Sequence, residues 1–208
     1  METYEQFLPI NETLKTIKER RSIRVFAKEE LSDEQVQTLL QAANAAPSAH
    51  NQQSWKFIVL KGHKKNGLAE LVSEGASQFS RPAQALLRMS ARSIASAPVV
   101  IAVANSGDLI EHGTDLFSVE KEMAHDFFRT MEIQSSAAAV QNLLLAATSM
   151  GLATVWLGIM FLMKNEVLDF LGEPSGEFMA VVPVGHILRD GGDGPKKQPV
   201  AMKVKYLD

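Results

Sequence analysis

The stretch EIQSSAAAVQNLLLAATSMGLATVWLG, residues 132–158, joins a long helix to a buried strand and decides the architecture. From Glu132 to Met150 it is rich in Ala and Leu, which favour helix, and Gly151 stands where a left-handed residue ends one. Thr154 to Leu157 then read as a strand in the protein interior, stopped by Gly158. The small side chains of the helix permit close approach to a neighbouring helix. A long helix turning into a core strand calls for layers of helix on sheet.

Working outward, the remaining elements alternate in type. Asn11 to Glu19 forms a helix with Leu14 and Ile17 as its apolar residues, followed by Arg20-Arg21 and an extended segment from Ser22 to Ala27. Ser32-Asp33-Glu34-Gln35 is a capping box, with Leu31 and Val36 as its hydrophobic staple. Val36, Leu39, Leu40 and Ala43 continue at helical spacing until Pro47 closes the helix.

Trp55 to Leu60 and Ala97 to Ala104 are strands, and the apolar run of the second suits a sheet interior covered on both faces. Between them lie helices near Lys64 to Glu74 and Arg81 to Ser96, with Pro82 in the first turn of the latter. A short helix from Lys164 to Leu171 ends at Gly172, and Met179 to Val184 is the last strand. The order predicts an α+β or α/β layered domain.

The chain has 208 residues, 46% hydrophobic and 22% charged, with no internal repeat or linker, so residues 1–208 read as one domain. A domain of this size buries about 70% of its unfolded surface and needs no staple. The net charge of −3 offers no general attraction to nucleic acid. Zero cysteines exclude disulfides, thiolate nucleophiles and iron–sulfur clusters, so redox chemistry would fall to a bound cofactor. The first residues lack a secretory signal, and runs such as Ala97 to Ala104 fall far short of the roughly 20 apolar residues of a membrane span. A cytoplasmic protein without a membrane partner is expected.

Three polar motifs interrupt this pattern. Arg20, Ser22 and Arg24 share one face of an extended segment, and guanidinium forks with a hydroxyl suit a phosphate. Solvation of a helix end explains the same charges. In the loop from Pro47 to Trp55, Asn51 and the Gln side chains offer paired donors and acceptors, which suit a pyrimidine-like ring edge. Turn chemistry accounts for them equally. Gly158 allows a flat ligand to approach backbone, yet capping and packing also account for residues 151–158.

Glu122, His125 and Asp126 form a Glu-x-x-His arrangement on one helical face, an alternative carboxylate/His metal site without a second such pair. Neither G-x-G-x-x-G nor G-x-x-x-x-G-K-[ST] occurs.

Together, Arg20-Arg21-Ser22-x-Arg24, Ala46-Pro47-Ser48-x-x-Asn51-x-Gln53-x-Trp55, and Gln141 to Ala147 leading into Gly151 and Trp156-Leu157-Gly158 resemble the nitroreductase family in content, order and spacing. The likeness runs from about Thr13 to Pro199. It implies an α+β fold with a mostly antiparallel central sheet flanked by helices, interlocked as a homodimer with FMN at the interface. It also implies an NAD(P)H-dependent flavin oxidoreductase, a flavoprotein reducing a nitroaromatic, a quinone or a similar small acceptor with no catalytic side chain. The alternative is an FMN-binding sensor or storage module.

By position, the resemblance assigns Arg20, Arg21 and Ser22 to the FMN phosphate or ribityl chain, and Arg24 to the pyrimidine side of the flavin. It assigns Pro47, Ser48, Asn51 and Gln53 to a loop reaching the flavin from the other subunit. Trp156, Leu157 and Gly158 fall beside the ring, and Lys196 and Lys197 at the phosphate. Substrate choice is expected around Leu109 to Arg129, where Phe117, Phe127 and Phe128 could wall a flat pocket. Three positions depart from the family pattern. Ser54 replaces the proline before the tryptophan, apolar Ile159 to Leu162 replaces an acidic residue after Gly158, and Gln198 replaces an arginine.

Overall fold

The computed structural model describes residues 11–117, 120–188 and 197–207. Its centre is strand β2, Val99–Asn105, in which every residue is buried. β1, Trp55–Lys61, and β4, Glu177–His186, flank it, and the three-residue β3, Leu152–Thr154, pairs with the far end of β4. The order is β1-β2-β4-β3 with every pair antiparallel. The register shifts between Val103 and Ala104, a bulge that turns the end of the strand carrying Asn105.

Alternation along β2 builds two cores. Val100, Ala102 and Ala104 meet Leu68 and Val72 of α3, Gly62–Gly75, with Leu87 and Ile94 of α4, Arg81–Ser96. Val99, Ile101 and Val103 meet Leu39 and Ala43 of α2, Asp33–Asn44, with Val140 and Leu143 of α6, Lys121–Ser149. Helix α7, Lys164–Leu171, joins the first core through Val167 and Leu168. The sheet is covered on both faces, as the apolar run predicts, although its pairing is antiparallel.

Local signals explain most boundaries. Asn11 caps α1, Glu12–Glu19, by accepting from Leu14 N at 2.9 Å. Both hydrogen bonds of the Ser32–Gln35 capping box are present at the start of α2. Gly151 and Gly172 follow α6 and α7 with φ of 72° and 79°.

Two expectations are corrected. Helix α6 begins at Lys121 instead of near Glu132, and an unanticipated α5, Asp108–Leu116, precedes it. The inward face of the early α6 reads Ala124, Phe128, Glu132, Ser136, so small and polar side chains sit at helical core spacing and conceal the apolar stripe. The strand expected over Thr154 to Leu157 ends at Thr154. Beyond it the chain leaves the ladder, keeps one bond from Leu157 N to Val181 O at 3.0 Å, and enters a 3₁₀ turn, Gly158–Met163.

Candidate functional site

The arginine segment is tied to the β3 edge of the sheet. Ser22 bridges Thr154 in parallel, with Ile23 N donating to Thr154 O at 2.9 Å, and Phe26 bridges Ile187. Phe26 is buried beneath the segment and acts as its anchor. A glycine makes that anchoring possible: a Cβ on Gly185 would lie 2.7 Å from Pro98 Cδ and 3.0 Å from Phe26 Cβ. Arg24 Nη1 turns back toward Ser22 O at 3.5 Å, whereas Arg20 ends α1, its N–H donating to Thr16 O. Arg20 and Arg21 are half-buried, and Ser22 and Arg24 are exposed.

The same edge carries the residues that follow β3. Leu157 is buried, Trp156 half-buried and Gly158 exposed, and a Cβ built on Gly158 would meet nothing within 4 Å. The apolar stretch after it divides, with Met160 buried while Phe161 and Leu162 face solvent. The first and third motifs thus lie side by side.

The second motif lies elsewhere. The loop before β1 sits at the opposite edge of the sheet and toward the opposite end of its strands: Trp55 stands level with Asn105 and Glu177, whereas Thr154 stands level with Val184. It is strained: His50, Asn51 and Gln53, with φ of 52–53°, are the non-glycine residues of positive φ among the described residues. Asn and His tolerate this region, but a Gln there is uncommon. Ser48 Oγ accepts from Gln53 N at 3.1 Å, and Gln53 Nε2 donates to Asn51 Oδ1 at 3.2 Å. Trp55 Nε1 donates to Asn44 Oδ1 at 2.9 Å, which fixes the loop's exit against α2. His50 meets Phe117 edge-on at 6.2 Å.

Beneath this loop lies a buried polar cluster that sequence reasoning missed. Glu132, Asn105, Ser136 and Ser54 are each at most 5% exposed. Glu132 Oε1 accepts from Leu109 N at 2.8 Å at the start of α5, Ser136 donates to Asn105 Oδ1, and Ser135 Oγ accepts from Ala49 N at 3.1 Å. Burial holds the Glu132 carboxyl above the usual carboxylate range. The N–H groups of Leu109 and Ile110 and the nearby Ser54 hydroxyl oppose that shift, while Asp108 reinforces it. The Ser54 hydroxyl lies close enough to favour the carboxylate, yet falls short of hydrogen-bond geometry. The available signal was a carboxylate four residues from Phe128 and from Ser136 on the inward face of a helix.

Other expectations resolve more simply. Phe128 belongs to the core, whereas Phe117 and Phe127 are exposed and pack on it at 5.4 and 5.1 Å. Glu120, Glu122 and Asp126 line an open depression of about 590 Å³ whose acidity does not suit a phosphate. His125 and Asp126 are exposed with their side chains 3.7 Å apart, and no group of three metal-ligating side chains gathers among the described residues. Among those residues no helix is long and apolar enough to cross a membrane. Lys197 and Gln198 are exposed, and Lys196 lies outside the described residues.

A profile described as the nitroreductase family matches residues 17–186. An Archaeoglobus fulgidus protein, provisionally named NADH dehydrogenase/NAD(P)H nitroreductase, is 31% identical over 150 residues, 72% of this chain and 69% of that protein. A Vibrio harveyi protein named NADPH-flavin oxidoreductase is 30% identical over 91% of this chain and 70% of its own length. The crystal structure of a nitroreductase with bound FMN from Desulfitobacterium hafniense superposes with a TM-score of 0.69. It is 26% identical over 96% of this chain and 100% of that one.

Proposed function

The chain belongs to the nitroreductase family, and from that membership we propose an FMN-dependent oxidoreductase that carries electrons from NAD(P)H to a small oxidised acceptor and works as a homodimer. The observation that carries this reading is the Ser22–Thr154 bridge, which lays an arginine-bearing segment along the strand that leads to open backbone at Gly158. The names of the Vibrio and Archaeoglobus relatives and the FMN in the Desulfitobacterium structure support it.

The donor set fits a flavin mononucleotide. Arg20, Arg21 and Ser22 would hold the phosphate or ribityl chain, because guanidinium groups match phosphate in a planar, bidentate fashion. Arg24 would face the pyrimidine side, and Trp156 and Leu157 would shield the ring while Gly158 lets backbone come close. Lys197, with Lys196, would add charge at the phosphate.

A second copy completes the site in this reading. Pro47, Ser48, Asn51 and Gln53 carry the amides that suit the ring edge, yet they sit at the far side of the sheet from the arginines. When bound, FMN would supply the hydride and electron-transfer chemistry between reduced nicotinamide and the acceptor. The chain binds, orients and excludes water, and no side chain is needed as nucleophile or base. Phe117, edge-on to His50 of the loop, and Phe127, both exposed and packed on Phe128, form an aromatic wall suited to a flat acceptor such as a nitroaromatic or quinone.

The test is titration of purified protein with FMN, followed by NADH and NADPH oxidation against a panel of such acceptors. One flavin per chain and acceptor-dependent oxidation are expected. A dimer that takes up no FMN at micromolar concentration overturns the reading. Bound FMN without nicotinamide oxidation overturns the oxidoreductase in favour of a flavin-binding module.

A further inference from the structure

We propose that Glu132 is a positioning residue for the flavin-facing loop: its buried carboxyl on α6 holds the start of α5, and Ser106, two residues before that helix, holds the loop's last residue, Ser54. The inference rests on the FMN reading for its functional consequence and on the geometry alone for its structural one.

The loop needs such a tie. Three consecutive or near-consecutive side-chain-bearing residues held at positive φ are unfavourable, and such strain persists only where the surroundings over-determine the backbone. Three holding points appear, two of them on one turn of α6. Ser135 Oγ takes the Ala49 N–H at 3.1 Å, Ser54 O takes the Ser106 N–H at 2.7 Å, and Glu132 fixes the chain just beyond Ser106 by accepting from Leu109 N at 2.8 Å. Packing alone does not account for a carboxyl here, because an apolar side chain at a site 1% exposed carries no desolvation cost. Ser54 Oγ, Asn105 Nδ2 and Glu132 Oε2 are all buried without a hydrogen-bond partner, so the cluster holds unused polar capacity directly under the strained backbone. A carboxyl or a carboxamide can serve this geometry, and a methyl group cannot.

The experiment compares wild type, Glu132→Gln, Glu132→Ala, Glu132→Leu and Val72→Ala. Val72 lies in the core on the opposite face of the sheet, so its variant reports lost stability without a loop effect. FMN affinity, thermal midpoint and amide hydrogen exchange over residues 49–54 without ligand are measured for each.

Glu132→Ala is expected to weaken FMN binding by about tenfold and to speed exchange in the loop, the scale of one buried polar group left unpaired. Glu132→Gln is expected to stay near wild type in both. Val72→Ala lowers the midpoint while affinity and loop exchange hold. If Glu132→Ala does not fold, Glu132→Leu fills the volume while leaving the Leu109 N–H without its acceptor, and faster loop exchange with weaker FMN binding is expected.

Unchanged loop exchange in Glu132→Ala or Glu132→Leu overturns the proposal, as does a Gln variant that fails like the Ala variant. Equal loss of affinity in Val72→Ala at a matched midpoint also overturns it. Should wild type bind no FMN, the functional reading fails while the exchange measurement still decides the inference.

Discussion

The two edges of the sheet solve the same problem in different ways. At the β3 edge an extended segment carrying Arg20, Arg21 and Arg24 is held by two bridges and one buried phenylalanine, on backbone without positive φ. At the β1 edge the loop from Pro47 to Ser54 is conformationally strained, and it is held by Ser135 directly and, through Ser106, by the chain that Glu132 fixes at the start of α5. The difference follows from what each would hold. A phosphate is recognised by charge, which tolerates small displacements, whereas a ring edge is recognised by directional amides that must be placed to within a few tenths of an ångström.

The largest expected effect tests the charged edge. Replacing Arg20 and Arg24 together with Ala should lower FMN affinity by about 100-fold, roughly tenfold for each charge-assisted contact, while the thermal midpoint stays near wild type. Equilibrium dialysis with FMN measures it, and wild-type retention in the double variant removes the arginines from the site.

A steric change comes next. Gly185→Ala forces a Cβ against Pro98 and Phe26, so it should cost about 1–3 kcal/mol in chemical denaturation and loosen the arginine segment. Exchange over residues 22–27 should rise while the loop at residues 49–54 stays protected. If both edges loosen together, they are not independent and the contrast drawn here is wrong.

How much of this could be read beforehand differs between the edges. The arginines, Phe26's extended segment and the turn at Gly151 are contiguous in sequence, and each follows a local rule of capping, alternation or charge. The capping box at Ser32 and the helix from Arg81 to Ser96 were legible for the same reason. The support of the loop was not, because Ser54, Asn105 and Glu132 come from three distant stretches that only the sheet and α6 bring together.

Glu132 and Ser136 even worked against recognition, since polar residues on a buried helical face hide the start of α6. Gly158 shows the reverse. Its lack of a side chain was read as room for a ligand, and within one chain no atom lies near enough to require glycine. The partner loop's distance from that glycine could not be read at all, because strand order is a property of the fold rather than of any segment.

A smaller effect sharpens the loop side. Gln53→Gly places a residue that accepts positive φ at no steric cost, so stability should hold or rise by up to about 1 kcal/mol while the lost amide weakens flavin binding or slows its reduction. Urea denaturation and stopped-flow reduction by NADH separate the two. A variant that is both stable and fully active would show that the strain at residue 53 serves no recognition.

The smallest effect is a slope rather than a step, and it concerns Glu132. Its carboxyl in the folded protein titrates above the ordinary carboxylate range, chiefly because it is buried, with Asp108 adding to the shift. The folded state therefore binds this proton more tightly than the unfolded state, and the linkage sign follows. Between the unfolded pKa and the raised folded one, wild type loses stability as pH rises, and below that window the contribution of the group is constant. Glu132→Gln has no proton to lose. The difference in denaturation midpoint between Gln variant and wild type should thus grow in favour of the variant from pH 4.5 upward and level off once the folded carboxyl is ionised. A flat difference across that range would mean that the carboxyl is already ionised at its ordinary pKa, and that the support under the loop is a charge rather than a neutral hydrogen-bonding group.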